Sequence, residues 1–253
     1  MGIGKGCGWL WYRLAWVLMW VLSRTFFRMR VWGRENVPME GPLLLLSNHQ
    51  SYFDPIFCQV TQGRELWYVA RDTLFRNRFF GWLIGTVHAS PIKRGEMDMA
   101  AMRNIIGQLK EGKTLCLFPE GTRTEDGRIS AVKGGLSLIT RRTGAKALPV
   151  VIDGAYEAWG KGKKRPRFWE QIGVMIGEPF TADEIKEMGD EEFARRFTAK
   201  LREMQGELRR KLGKEAFDYG DEGGARCENL SRRNTKEKKL KGRKEDKESL
   251  RDG

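Results

Sequence analysis

The sequence predicts an α/β fold: a single layered domain with a mostly parallel sheet flanked by helices, preceded by an N-terminal membrane-anchoring helix. Two observations carry the domain. Short continuous apolar runs ending at polar residues recur along the chain, and stretches of helical periodicity lie between them. A tryptophan-rich apolar segment at the N-terminus carries the anchor. With 253 residues, 40% of them apolar, the chain is long enough for one such domain plus appendages. The expected boundaries are an anchor over residues 1–30, the layered domain over 31–219 and a charged, disordered tail over 220–253.

The anchor reads W-L-W-Y-R-L-A-W-V-L-M-W-V-L from Trp9 to Leu22, interrupted only by Arg13. As a helix it extends roughly 21 Å, short of the ~30 Å hydrocarbon core. Trp9, Trp16 and Trp20 share one helical face, and Lys5, Arg13, Arg24, Arg28, Arg30 and Arg34 meet no acid before Glu35. This pattern suits an interfacial or half-buried helix on the cytoplasmic face of the plasma or inner membrane. A helix buried in the core is the alternative. Ser23-Arg24-Thr25-Phe26 follows the apolar run in place of a small-x-small cleavage site.

Candidate strands follow at residues 43–46, 66–70, 89–93, 114–118, 147–152 and 172–176. Candidate helices lie between them at 55–62, 79–87, 97–110 and 134–142, the last closed by Gly144. From residue 181 to 217 the pattern is helical and charged. Gly220 then opens a tail with few apolar residues, basic in excess between Arg232 and Lys244.

The net charge of +13 points to an anionic partner, either nucleic acid or a membrane surface. Lys161, Lys163, Lys164, Arg165 and Arg167, near Trp159, Phe168 and Trp169, form a cluster fit to touch anionic headgroups or to stay solvated. The four cysteines (Cys7, Cys58, Cys116, Cys227) include no C-x-x-C pair, so neither a zinc site nor a disulfide framework is indicated. No Walker loop, GxGxxG turn, H-E-x-x-H pair or G-x-S-x-G elbow is present. No cofactor or metal is signalled.

Two motifs carry chemistry. The first is Asn48-His49-Gln50-Ser51-Tyr52-Phe53-Asp54, after the run 43–46. On a continuous helix His49 and Asp54 would stand about 140° apart, on different faces. Pro55 offers another geometry: Asp54 at the N-cap, Pro55 at the first helical position, and a turn folding the carboxylate back toward the imidazole. Such a pair is a base with its orienting carboxylate and no protein nucleophile, so the attacking oxygen comes from the substrate. The structural alternative leaves Asp54 as a cap and His49 as a turn residue. His88, the other histidine, has no nearby carboxylate in sequence.

The second motif, Phe118-Pro119-Glu120-Gly121-Thr122-Arg123, follows the run 114–118. Gly121 allows a tight turn that presents Thr122 and Arg123 beyond a strand end, where ligands gather in such folds, and Arg123 can clamp a phosphate through two donors. Glu120 either orients that guanidinium or bonds a substrate hydroxyl; an internal Glu120–Arg123 ion pair is the bland alternative. Arg94 and Arg71 also follow strand-like stretches and extend the cationic set.

With these blocks in place, the sequence resembles the 1-acylglycerol-3-phosphate (lysophosphatidic acid) acyltransferases, glycerolipid acyltransferases with an N-H-x-x-x-x-D motif. The match runs from Asn48-His49…Asp54 through Arg71, Gly81 and Ile92-Lys93-Arg94 to Phe118–Arg123 and Leu148-Pro149-Val150. The second block departs in that Pro91 precedes Ile92. The resemblance implies His49 as general base on the free hydroxyl of a lysophospholipid, with Asp54 as its partner. It implies that Glu120, Gly121 and Arg123 bind the glycerol phosphate with help from Arg94, and that acyl-CoA or acyl-carrier protein is the donor. The expected reaction is acyl transfer to 1-acyl-glycerol-3-phosphate, giving phosphatidic acid at an anionic membrane surface with no specific nucleic acid partner. Other acceptors, such as another lysophospholipid or glycerol-3-phosphate, use the same chemistry; a non-catalytic lipid- or nucleic-acid-binding protein is the remote alternative.

Overall fold

Leu43, Leu44, Leu45 and Leu46 are fully buried and form the middle of the sheet. A strand covered on both faces needs no polar alternation, which is why the run is continuously apolar. The computed structural model describes residues 5–92 and 99–220. In chain order the strands are β1 (Arg30–Trp32), β2 (Leu43–Ser47), β3 (Leu66–Arg71), β4 (Ala89–Ile92), β5 (Thr114–Leu117), β6 (Lys146–Asp153) and β7 (Gly173–Ile176). The α-helices are α1 (Lys5–Phe26), α2 (Asp54–Gln62), α3 (Arg78–Thr86), α4 (Met99–Lys110), α5 (Leu136–Thr143), α6 (Ala155–Trp159), α7 (Ala182–Met188) and α8 (Asp190–Lys211).

The sheet order is β1-β7-β6-β2-β5-β3-β4. Every pairing is parallel except β6 with β7. The expected α/β fold with a mostly parallel sheet is therefore present. The register brings the carboxyl ends of β6, β2, β5 and β3 to one end of the molecule, because Leu45 and Tyr68 both pair with Cys116, and Ser47 pairs with Val150.

Helix α8 closes one face with Phe193, Phe197, Leu201, Met204 and Leu208, spaced three and four residues apart and buried. Each such side chain contributes about 1.5–3 kcal/mol of apolar burial. Asp153, fully buried at the end of β6, pairs with Arg209 at 3.1 Å and Lys214 at 3.2 Å, fixing the C-terminal part of α8 to the carboxyl end of β6.

The chain divides into compact units Met1–Ala216 and Phe217–Gly253, and α1 lies in the same unit as the sheet. One face of α1 meets the protein: Tyr12 is buried, its hydroxyl accepts the Leu66 N–H at 3.3 Å, and Trp16 Nε1 donates to the Gln59 carbonyl at 3.2 Å. Leu10, Leu14, Val17, Leu18 and Val21 form an exposed stripe on the other. No described helix is long and apolar enough to cross a membrane. In the second unit residues 217–220 are described and carry no regular structure; the rest of the expected tail lies outside the described residues.

Candidate active site

Each residue of the turn after β2 is tied to a different part of the fold. Asn48 Nδ2 donates to the Ile152 carbonyl at 2.9 Å and its Oδ1 accepts the Ile152 N–H at 2.8 Å, so its amide continues the ladder to β6 where the backbone leaves it. Gln50 Nε2 donates to the Gly127 carbonyl at 2.8 Å, and Ser51 Oγ donates to the Trp159 carbonyl at 3.0 Å. The His49 carbonyl accepts the Thr124 N–H at 2.8 Å.

Asp54 departs from the N-cap geometry expected of it. Helix α2 already includes Asp54, and its carboxylate reaches backward: Oδ2 accepts the N–H groups of Gln50 at 2.6 Å and Ser51 at 2.7 Å, and meets His49 Nδ1 at 2.7 Å. Three donors on one oxygen lock a fully buried carboxylate and, through it, the imidazole. The ring also stacks on Phe118, with centroids 4.1 Å apart and planes at 19°. With Nδ1 engaged, Nε2 is the nitrogen left for a substrate, and the side chain keeps 21% exposure for it to be reached. The nearby hydroxyls, Ser47 and Ser51, both donate to backbone carbonyls. Among the described residues neither of these hydroxyls donates to the imidazole, an arrangement that suits deprotonation of a substrate alcohol.

The second motif packs directly against the first. Glu120 Oε1 accepts the His49 N–H and Oε2 accepts the Ser130 N–H, each at 2.8 Å. Both oxygens of this buried carboxyl thus accept backbone N–H groups and brace the His49 turn, and among the described residues Glu120 forms no ion pair with Arg123. Burial pushes its pKa up, against the opposing effect of the Ser130 and His49 N–H groups. Gly121 adopts φ 74°, and a Cβ there would stand 2.7 Å from Lys133 Nζ. The glycine therefore admits a second cation, Lys133, beside the loop. Arg123 lies face-on over Tyr52, its guanidinium carbon 3.5 Å from the ring centroid, and its Nη1 is buried with no partner among the described residues. Thr122 is exposed on the same turn.

Arg71 ends β3, and the register sets its backbone level with Asn48, two strands away or about 10 Å. Arg94 lies outside the described residues. His88 has φ 67° and stacks between Trp67 and Tyr12, with centroids 4.4 and 4.8 Å apart, at the opposite end of the sheet from His49. Sequence reasoning missed Lys133, Phe118 as the platform under His49, and the pair Tyr52 and Trp159, whose rings lie 4.8 Å apart. The Lys133-Gly134-Gly135 triplet was the one available signal for the lysine.

An imidazole oriented by a carboxylate, at the carboxyl ends of parallel strands and near cations with no acidic partner among the described residues, is an arrangement suited to a group-transfer enzyme. Comparison with known proteins narrows the class: residues 28–153 match the family model described as Acyltransferase, and the chain belongs to this family. It is 27% identical to the 1-acyl-sn-glycerol-3-phosphate acyltransferase of Bacillus subtilis, covering 73% of this chain and 89% of that protein. It is 30% identical to the one from Streptococcus pneumoniae over 58% of this chain and 53% of that protein. A chloroplastic relative from Arabidopsis thaliana is 27% identical over 61% and 44%, respectively. The chain thus spans about half the length of the last two. The crystal structure of the 1-acyl-sn-glycerophosphate acyltransferase PlsC from Thermotoga maritima shares the fold, with TM-score 0.68 at 23% identity over 83% of this chain and 84% of that one.

Proposed function

We propose that the chain transfers an acyl group from an acyl-CoA or acyl-carrier protein thioester to the free hydroxyl of 1-acyl-glycerol-3-phosphate, releasing phosphatidic acid and a thiol. The observation that carries this reading is the His49–Asp54 pair at 2.7 Å, which leaves Nε2 open on the same turn whose Tyr52 supports Arg123. Arg123 and Lys133 hold the acceptor phosphate, and Thr122 offers a hydroxyl to the same group. Nε2 takes the proton of the acceptor hydroxyl as its oxygen attacks the thioester carbonyl. The tetrahedral intermediate expels the thiolate, which recovers the proton from the imidazolium, while Asp54 stabilises the cation between the two transfers.

The membrane reading rests on α1. Its exposed stripe continues through Trp11, whose ring lies 6.3 Å from Trp82, to the exposed Phe79 on α3. An apolar face of this kind suits a helix lying in the headgroup boundary on the cytoplasmic side.

Incubation of the full chain in detergent micelles with palmitoyl-CoA or a palmitoyl-carrier protein and a panel of acceptors, read by mass spectrometry, tests the proposal. Phosphatidic acid from lysophosphatidic acid is the expected product. Faster transfer to glycerol-3-phosphate or another lysophospholipid would move the acceptor assignment, and no transfer from either donor would contradict the reading.

A further inference from the structure

Strand β1 lies at the open edge of the sheet, and its register places its start at the catalytic end. Arg30 pairs with Gly173 of β7, and Gly173 with Asp153 of β6. Asp153 stands three residues beyond Val150, the partner of Ser47 at the end of β2. Because β7 runs against β6 and β1 runs with β7, β1 begins where β2 and β6 finish. Three strand intervals separate it from β2, about 14 Å in all.

Around this start Arg24, Arg28, Met29, Arg30, Val31 and Trp32 line a cavity of about 660 Å³ that is wide open to solvent. The three arginines are exposed, and no carboxylate among the described residues lies within 4.0 Å of any of them. Arg30 gives its backbone N–H to the Ile172 carbonyl on the β7 side at 2.9 Å, so alternation along the strand turns the Val31 N–H outward. The cavity is rich in donors, and the half-buried Trp32 adds an aromatic surface.

Packed rings tie the cavity wall to the turn that carries His49. Phe27, buried beside Arg28, lies 5.3 Å from Phe53; Phe53 lies 5.1 Å from Trp159; Trp159 lies 4.8 Å from Tyr52, which supports Arg123. The Arg123 and Lys133 pocket serves the phosphate of the acceptor, so an anionic donor requires a separate set of cations.

We infer that this cavity binds the 3′-phosphorylated adenosine diphosphate head of an acyl-CoA donor, a deepening that rests on the acyl transfer proposed above. Three guanidinium groups match its three phosphates, which guanidinium recognises through paired donors, and Trp32 offers a face to the adenine. The extended pantetheine arm spans the three-strand interval toward His49 and delivers the thioester to the base.

Titration of adenosine 3′,5′-bisphosphate into the full chain, followed by tryptophan fluorescence, tests the site without turnover. Arg24→Gln, Arg28→Gln and Arg30→Gln should each weaken binding roughly fivefold, as for an exposed ion pair, and the triple variant about a hundredfold. Should the triple variant fail to fold, the single variants decide. In neutral detergent micelles the same changes should raise KM for palmitoyl-CoA in parallel and leave KM for lysophosphatidic acid unchanged. Equal bisphosphate affinity in wild type and variants would overturn the inference. So would a loss confined to phosphatidylglycerol vesicles, which would assign the cavity to lipid headgroups, or one confined to an acyl-carrier protein. Bisphosphate binding without acyl transfer from any donor would instead remove the underlying activity while leaving the nucleotide site in place.

Discussion

The Arg123 guanidinium lies 3.5 Å from the centroid of the Tyr52 ring, so the loop after β5 rests on a side chain of the same turn that carries His49. Base and cation are therefore one rigid assembly: any shift of the turn moves both. Tyr52 is itself backed by Trp159 at 4.8 Å.

Tyr52 is thus a positioning residue. A cation–π contact of about 1–2 kcal/mol predicts that Tyr52→Ala raises KM for the acceptor roughly 5- to 30-fold, with a smaller effect on kcat. Tyr52→Phe should stay near wild type because the ring, not the hydroxyl, makes the contact. Steady-state kinetics of the two variants decide, and equal defects would contradict the stacking role.

Gly121→Ala should act through Lys133. The new Cβ would enter the space of the ammonium, 2.7 Å away, at φ 74°. The backbone penalty is about 1–2 kcal/mol. The lysine is the flexible partner and swings away, raising the acceptor KM by about fivefold, the value of one exposed charge contact. Thermal melts read the first effect and kinetics the second; an unchanged KM would remove Lys133 from the pocket.

His88 makes stability depend on pH. Burial, the largest influence, lowers its pKa below 6.5; Lys113 acts the same way and Glu65 opposes. A histidine held neutral in the fold binds fewer protons there than in the unfolded chain. Its contribution is complete above the unfolded value of 6.5 and is lost as pH falls through 6.5 toward the lower folded value. Melting midpoints of wild type should therefore fall more steeply below that pH than those of His88→Asn, a residue that accepts φ 67°. Parallel slopes would contradict this.

The α1 stripe predicts vesicle binding. Leu14→Glu with Leu18→Glu removes two exposed leucines, each contributing about 1.5 kcal/mol when buried in lipid, so flotation with vesicles should show roughly a hundredfold loss of partitioning. Full retention would leave α1 without a membrane role.

The central strands were legible because burial on both faces turns β2 and β6 into unbroken apolar runs that begin and end within a residue or two of the observed strands. β1 was not: Arg-Val-Trp is too short to show a period and owes its pairing to β7, far along the chain. Nor does an apolar run record its direction, so the antiparallel course of β7 became visible only in the ladder with β6. In the site, the His49–Asp54 pairing was readable because Pro55 forces a break between turn and helix. Glu120 was visible as part of a motif, but its bracing of His49 and Ser130 depends on backbone groups that the fold brings together. The Tyr52–Arg123 stack joins residues from separate loops and leaves no mark in the spacing of either.

His49 as the base carries the proposed reaction. Thiol release from palmitoyl-CoA in the presence of lysophosphatidic acid, measured for wild type, His49→Ala and Asp54→Asn with folding checked by circular dichroism, addresses it. Wild type should release thiol only when acceptor is present, Asp54→Asn should be slowed by roughly 10³–10⁴-fold, and His49→Ala should fall to background. Turnover by folded His49→Ala at the wild-type rate would contradict the mechanism.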